Sequence, residues 1–201
     1  MTTEPDPAVG AARPPVPVLN VANGLTVLRF GLVPVFVALV IASGMVVPSL
    51  RMAACLVFFA ASATDLVDGW IARTFNLVTA FGKVADPIAD KALTGTALVL
   101  LSWYGHLAWW ITVVILVREI GVTVLRFAVL RREVIAASQG GKAKTLLQIL
   151  AISWYLWPFP AGWAAVGRTV MIGAVLVTVA TGVDYVVRVV RRLRMGRADG
   201  A

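Results

Sequence analysis

Long apolar runs, broken at fairly even intervals by short polar turns, set the pattern of this chain. A helix crossing the hydrocarbon core of a bilayer needs roughly 20 apolar residues. Six stretches approach that length, at about 25–44, 51–72, 84–104, 107–130, 144–164 and 168–188. The pattern predicts an all-α integral membrane protein with six transmembrane helices in one domain over 18–190. A Pro- and Ala-rich lead over 1–17, expected to be disordered, precedes it, and a basic tail over 191–201 follows. The lead does not read as a cleavable signal, because Glu4 and Asp6 stand against Arg13 and no basic segment adjoins the first apolar run. Pro158 and Pro160 each remove a backbone donor that lipid cannot replace, so the fifth helix is expected to shorten or break near its outer end.

Composition supports the membrane reading and removes other classes. Apolar residues make up 60% of the chain and charged residues 14%, against about 25% charged in soluble domains; mean hydropathy is +0.88. Cys55 is the single cysteine, which excludes a disulfide-stapled module. The net charge of +8 would suit a nucleic-acid binder, but its placement suits a membrane protein better, and no nucleic-acid partner is expected. Arg73 and Lys83 fall between spans two and three, and Arg131, Arg132, Lys142 and Lys144 between four and five. Arg188, Arg191, Arg192, Arg194 and Arg197 crowd the C-terminus, whereas the opposite face has Arg51 and Arg168. The positive-inside rule then puts both termini on the cytosolic side of the cytoplasmic membrane. Trp103, Trp109, Trp110, Trp154, Trp157 and Trp163 gather at the predicted outer ends, where indole rings favour the headgroup level.

Four of the ten acidic residues, Asp65, Asp68, Asp86 and Asp90, lie within 26 positions, inside or at the edge of apolar helices. A carboxylate at the centre of a span costs about 2.5–3.5 kcal/mol even on the gentlest scale, so four together need compensation. Any one of them could pair with a basic side chain or cap a helix; four at this spacing suggest a shared site. Asp65 and Asp68 are three apart and Asp86 and Asp90 four apart, so each pair shares a helix face. The short connection makes the two helices antiparallel neighbours, with both pairs near the cytosolic end. Such carboxylates repel unless cations or protons intervene. An all-oxygen donor set without His or Cys suits Mg²⁺ or Mn²⁺.

Read as one string, Asp65-x2-Asp68-Gly69-x2-Ala72-Arg73-x8-Gly82-x3-Asp86-x3-Asp90 resembles, position for position, the signature of the CDP-alcohol phosphotransferase family. Asn20-Val-Ala-Asn23-Gly-Leu-Thr26-Val-Leu-Arg29 resembles the opening of one branch, the bacterial phosphatidylglycerophosphate synthases. The segments Arg118-Glu119-Ile-Gly-Val-Thr-Val-Leu-Arg126 and Gly141-Lys142-Ala-Lys144-Thr145-Leu-Leu-Gln148 are similar to that branch as well. Ala22 departs from it, standing where many relatives have proline.

The resemblance implies the six-helix CDP-alcohol phosphotransferase fold, a homodimer, and transfer of a phosphatidyl group from CDP-diacylglycerol to an alcohol with release of CMP. It implies two divalent ions held by Asp65, Asp68 and Asp86, with Asp90 joining them or taking the acceptor's proton. Gly69, Ala72, Arg73 and Gly82 would shape the CDP-lipid site.

For the acceptor, Arg118, Arg126, Lys142 and Lys144 are candidates to bind a phosphate, because a dianion favours several donors. Bland roles stand beside these: Arg118 could neutralise Glu119, and Lys142 with Lys144 could be ordinary loop charge. Arg29 could contact lipid phosphate or extend its head to the interface. The branch resemblance points to glycerol 3-phosphate as acceptor. Cardiolipin synthase and phosphatidylinositol phosphate synthase activities remain open within the fold. An ion transporter using the Asp cluster as a relay is the alternative from another class.

Overall fold

The computed structural model describes residues 21–74, 79–130 and 139–198. The N-terminal lead and Arg131, Arg132 and Glu133 lie outside them. Among the described residues the structure is all-helical: α1 Val21–Ser43, α2 Pro48–Thr74, α3 Ala80–Trp103, α4 Trp109–Leu130, α5 Gln139–Leu156 and α6 Ala164–Ala198, with a short 3-10 turn at Ala161–Trp163. Helices are the expected answer to long apolar runs, because they satisfy every interior backbone group within one segment. The turns are equally local. Between α1 and α2 both Gly44 and Met45 take positive φ, and between α3 and α4 Gly105 does so at φ 75°, a conformation glycine adopts without steric cost.

Helix α1 packs on α2 and α3, α5 on α6 and α2, and α4 on α3 and α6. The shared core contains Phe36, Phe58, Leu98, Leu101, Ile115, Ile152 and Met171, all buried. Phe36 and Phe58 meet at a ring-centroid distance of 5.7 Å, within the range where tilted aromatic pairs attract. Ser102 and Thr112 join α3 to α4 through a buried hydroxyl pair at 2.7 Å, and Thr112 also donates to the Leu98 carbonyl at 3.2 Å.

Helix α5 stops at Leu156, just before Pro158 and Pro160. Arg51 of α2 takes up its freed carbonyls, donating to Tyr155, Leu156 and Trp157 at 3.0, 3.2 and 3.2 Å. Helix α6 extends well past the apolar run at 168–188, carrying part of the basic tail as helix to Ala198.

By length and composition, Asn23–Ser43 and Ala161–Arg191 can each cross a bilayer. The other long helices carry charge among their apolar residues: Arg51, Asp65 and Asp68 in α2, Asp86, Asp90 and Lys91 in α3, Arg118, Glu119 and Arg126 in α4, Lys144 in α5. Large apolar side chains stay exposed along the outside, including Val113, Val117, Ile120 and Val124 on α4 and Leu176 and Val183 on α6. Such faces suit lipid rather than water.

Candidate active site

The acidic signature begins on two helices that α1 ties together. Arg29 of α1 is fully buried and donates to Asp65 of α2 at 2.5 Å. One turn earlier, Thr26 donates to Asp86 of α3 at 2.6 Å. One turn earlier again, Asn23 accepts from the Thr79 hydroxyl at 3.0 Å, and Thr79 caps α3 by accepting from the Gly82 amide at 3.0 Å. A cap of this kind satisfies one of the amides a helix start leaves without an intrahelical partner. Asn23, Thr26 and Arg29 thus form a polar stripe at three-residue spacing on an otherwise apolar helix.

Gly82 of α3 faces Asn23 of α1. A Cβ there would stand 3.0 Å from Asn23 Oδ1, 3.3 Å from Thr79 Oγ1 and 3.7 Å from Asp86 Oδ2. A side chain at this position of the signature would crowd the polar side chains of Asn23 and Thr79 beside a carboxylate.

Asp86 and Asp90 lie within electrostatic reach of Asp65, so three of the four predicted carboxylates share one region. Asp65 and Asp90 remain about one-third exposed at their side chains, 31% and 36%. Among the described residues no three acidic, His or Cys side chains close on a single point. Asp68 and Gly69 belong to α2 and Arg126 and Lys142 to α4 and α5, but the side chains of Asp68, Ala72, Arg73, Arg126 and Lys142 lie outside the described set. The donor chemistry fits a hard divalent cation: carboxylate oxygens, partly open to solvent, without thiol or imidazole.

Beyond Asp90 the site continues into a cluster of cations. Glu119 of α4 is buried and accepts from Lys144 of α5 and, at 3.1 Å, from Arg118. Its second oxygen is 3.3 Å from Lys91, which also lies 3.5 Å from Asp90. Arg118 is fixed further by α6, donating to the Thr178 carbonyl and the Thr181 hydroxyl, both at 3.0 Å. Gly182 makes room for its stem, since a Cβ there would come within 2.9 Å of Arg118 Cγ. Asp90, Lys91, Thr94, Glu119, Lys144, Thr145 and Gln148 contribute to a cavity of about 70 Å³ between α3, α4 and α5.

A larger cavity of about 490 Å³ opens at the other end of the bundle, among Arg51, His106, Arg168, Trp110, Trp154 and Trp157. It has no carboxylate in its lining, so volume alone would misplace the chemistry.

A model of the CDP-alcohol phosphatidyltransferase family matches residues 19–180. The chain belongs to that family. A probable phosphatidylglycerophosphate synthase of Mycobacterium tuberculosis is 48% identical over 174 residues, covering 87% of this chain and 83% of the relative. A CDP-diacylglycerol–glycerol-3-phosphate 3-phosphatidyltransferase of Bacillus subtilis is 38% identical over 176 residues, 77% of this chain and 91% of the relative. One of Escherichia coli is 39% identical over 144 residues, 69% and 77%. As a CDP-alcohol phosphatidyltransferase the chain is an enzyme, and its two long apolar helices agree with membrane association.

The structure gives Arg29 and Thr26 partners not expected from sequence, and brings in Thr79 and Lys91, for which the sequence suggested no role. Arg29 faces Asp65 and neither lipid nor water. Thr26 and Thr79 support the acidic signature. Lys91, hidden beside Asp90 in the sequence, reaches two carboxylates. The signal available for the first group was the polar period on α1; for Lys91 there was only its adjacency to Asp90.

Proposed function

We propose that this enzyme transfers the phosphatidyl group of CDP-diacylglycerol to glycerol 3-phosphate, giving phosphatidylglycerophosphate and CMP. The observation that carries the reading is family membership with relatives at 38–48% identity whose names state this activity. The geometry is compatible with it. Asp65, Asp68, Asp86 and Asp90 are the residues that would hold divalent cations, Mg²⁺ or Mn²⁺. A bound pair there would neutralise the pyrophosphate and ease departure of CMP. Asp90, toward the cation cluster, is placed to accept the proton of the attacking hydroxyl. Arg73 with Gly69, Ala72 and Gly82 receives the CDP end of the donor.

Arg118 and Lys144, with Arg126 and Lys142 on the same two helices, supply the donors for the acceptor's phosphate. Arg118, Lys91 and Lys144 set three cations against Glu119, and a positive surplus remains when Asp90 is counted too. That surplus suits a phosphorylated acceptor. In the membrane the six helices cross with both termini and the carboxylates on the cytosolic side, so the lipid donor enters laterally and the acceptor from water. The enzyme works as a homodimer.

The test is an acceptor panel. Purified enzyme with CDP-diacylglycerol and Mg²⁺ is given, in turn, glycerol 3-phosphate, inositol phosphate, serine and phosphatidylglycerol. CMP release with glycerol 3-phosphate well above the rest is expected; preference for another acceptor would overturn the assignment. Chelation with EDTA should stop turnover, and added Mg²⁺ or Mn²⁺ should restore it.

A further inference from the structure

The acceptor cluster and the acidic signature are joined by one side chain. Lys91 Nζ lies 3.5 Å from Asp90 Oδ2 and 3.3 Å from Glu119 Oε2, and it lines the cavity together with Glu119 and Lys144. Arg118 is anchored to α6 by two hydrogen bonds. Lys91 differs from it: an ammonium on a flexible stem, held between two carboxylates of α3 and α4, can rotate its donors without breaking a helix contact.

We propose that Lys91, kept in place by Glu119, is the positioning residue that couples binding of the acceptor's phosphate to the carboxylate of Asp90. This rests on the phosphatidyltransferase reading above and deepens it. A phosphate entering the cavity meets Lys144 and Lys91 around Glu119. Because the same Lys91 ammonium also contacts Asp90, the distance between bound phosphate and proton-accepting carboxylate is set by one side chain. A hydroxyl at the far end of a short carbon chain from that phosphate is thereby brought to Asp90, while an alcohol without phosphate gains nothing from Lys91. Glu119 supplies the opposing charge: without it, Lys91, Lys144 and Arg118 repel one another and the ammonium leaves the cavity.

The variants are Lys91→Met, Lys91→Arg and Glu119→Gln, purified in detergent and compared with wild type by CMP release. Each substrate is varied in turn. Lys91→Met and Glu119→Gln are expected to raise the KM for glycerol 3-phosphate about tenfold or more, while the KM for CDP-diacylglycerol stays within about twofold. Lys91→Arg should recover a large part of the loss, because it restores a cation at the same place. Thermal unfolding of each variant identifies any that is simply misfolded, and the Arg variant then carries the test. If wild type uses glycerol 3-phosphate but Lys91→Met shifts both Michaelis constants alike, or leaves that of the acceptor unmoved, Lys91 is structural and the proposal fails alone. If wild type accepts only alcohols without phosphate, both this proposal and the functional reading fall.

Discussion

Arg29 shows most clearly what a single residue does here. Its guanidinium is fully buried in an apolar helix and faces a carboxylate that is partly open. Two charges taken from water are tolerable only as a pair, and removing one partner strands the other. Arg29→Met should therefore destabilise the fold by about 1–3 kcal/mol, discounted from the fully buried case because Asp65 keeps contact with solvent; thermal unfolding in detergent measures it. The same change releases Asp65 from α1, so turnover should fall with it. Gly82 makes a complementary case, since the obstacle there is volume. Gly82→Ala would press a methyl against Asn23 and Thr79 beside Asp86. Loss of kcat/KM by about tenfold or more is expected with the helical circular dichroism unchanged; wild-type rates would mean that the neighbours yield without moving Asp86.

Among the elements, α5 is completed by a neighbouring helix at its C-terminal end. Its 18 residues end where two prolines forbid continuation, and its last carbonyls are satisfied by Arg51 from α2. Arg51 lies at the far end of the bundle from the carboxylates, so its role separates cleanly from catalysis. Arg51→Met should shorten the half-life of the enzyme in detergent at elevated temperature while leaving the KM values for both substrates as they were. A change in either KM would connect the two ends of the bundle. The helices themselves were legible from apolar run length, and the break in α5 from Pro158 and Pro160. The partners of the acidic signature were not, because Arg29 meets Asp65 across 36 positions and Thr26 meets Asp86 across 60. Periodicity places a residue on a face of its own helix; which neighbouring helix that face meets is decided by packing.

At the scale of the molecule, two ends of one bundle differ in charge and in chemistry. One end gathers Asp65, Asp86, Asp90, Lys91, Glu119 and Lys144; the other has indole rings, Arg51, Arg168 and the turn at Gly105 and His106. Burial, followed by the neighbouring Arg51 charge, holds the His106 pKa below its ordinary value, so that turn adds no positive charge near pH 7. The asymmetry is what the positive-inside rule reads, and the orientation we propose, with the carboxylates toward the cytosol, follows from that rule. Cys55 is the one cysteine of the chain and is buried, which makes the orientation directly measurable. His106→Cys should react with a membrane-impermeant maleimide in intact cells, whereas Arg197→Cys at the end of α6 should react only after the membrane is opened. The reverse labelling would turn the bundle over and place the carboxylates on the side away from cytosolic glycerol 3-phosphate. A site fed by a water-borne phosphate ester and a nucleotide-activated lipid can work only where both reach it, so the labelling pattern tests the reaction as well as the topology.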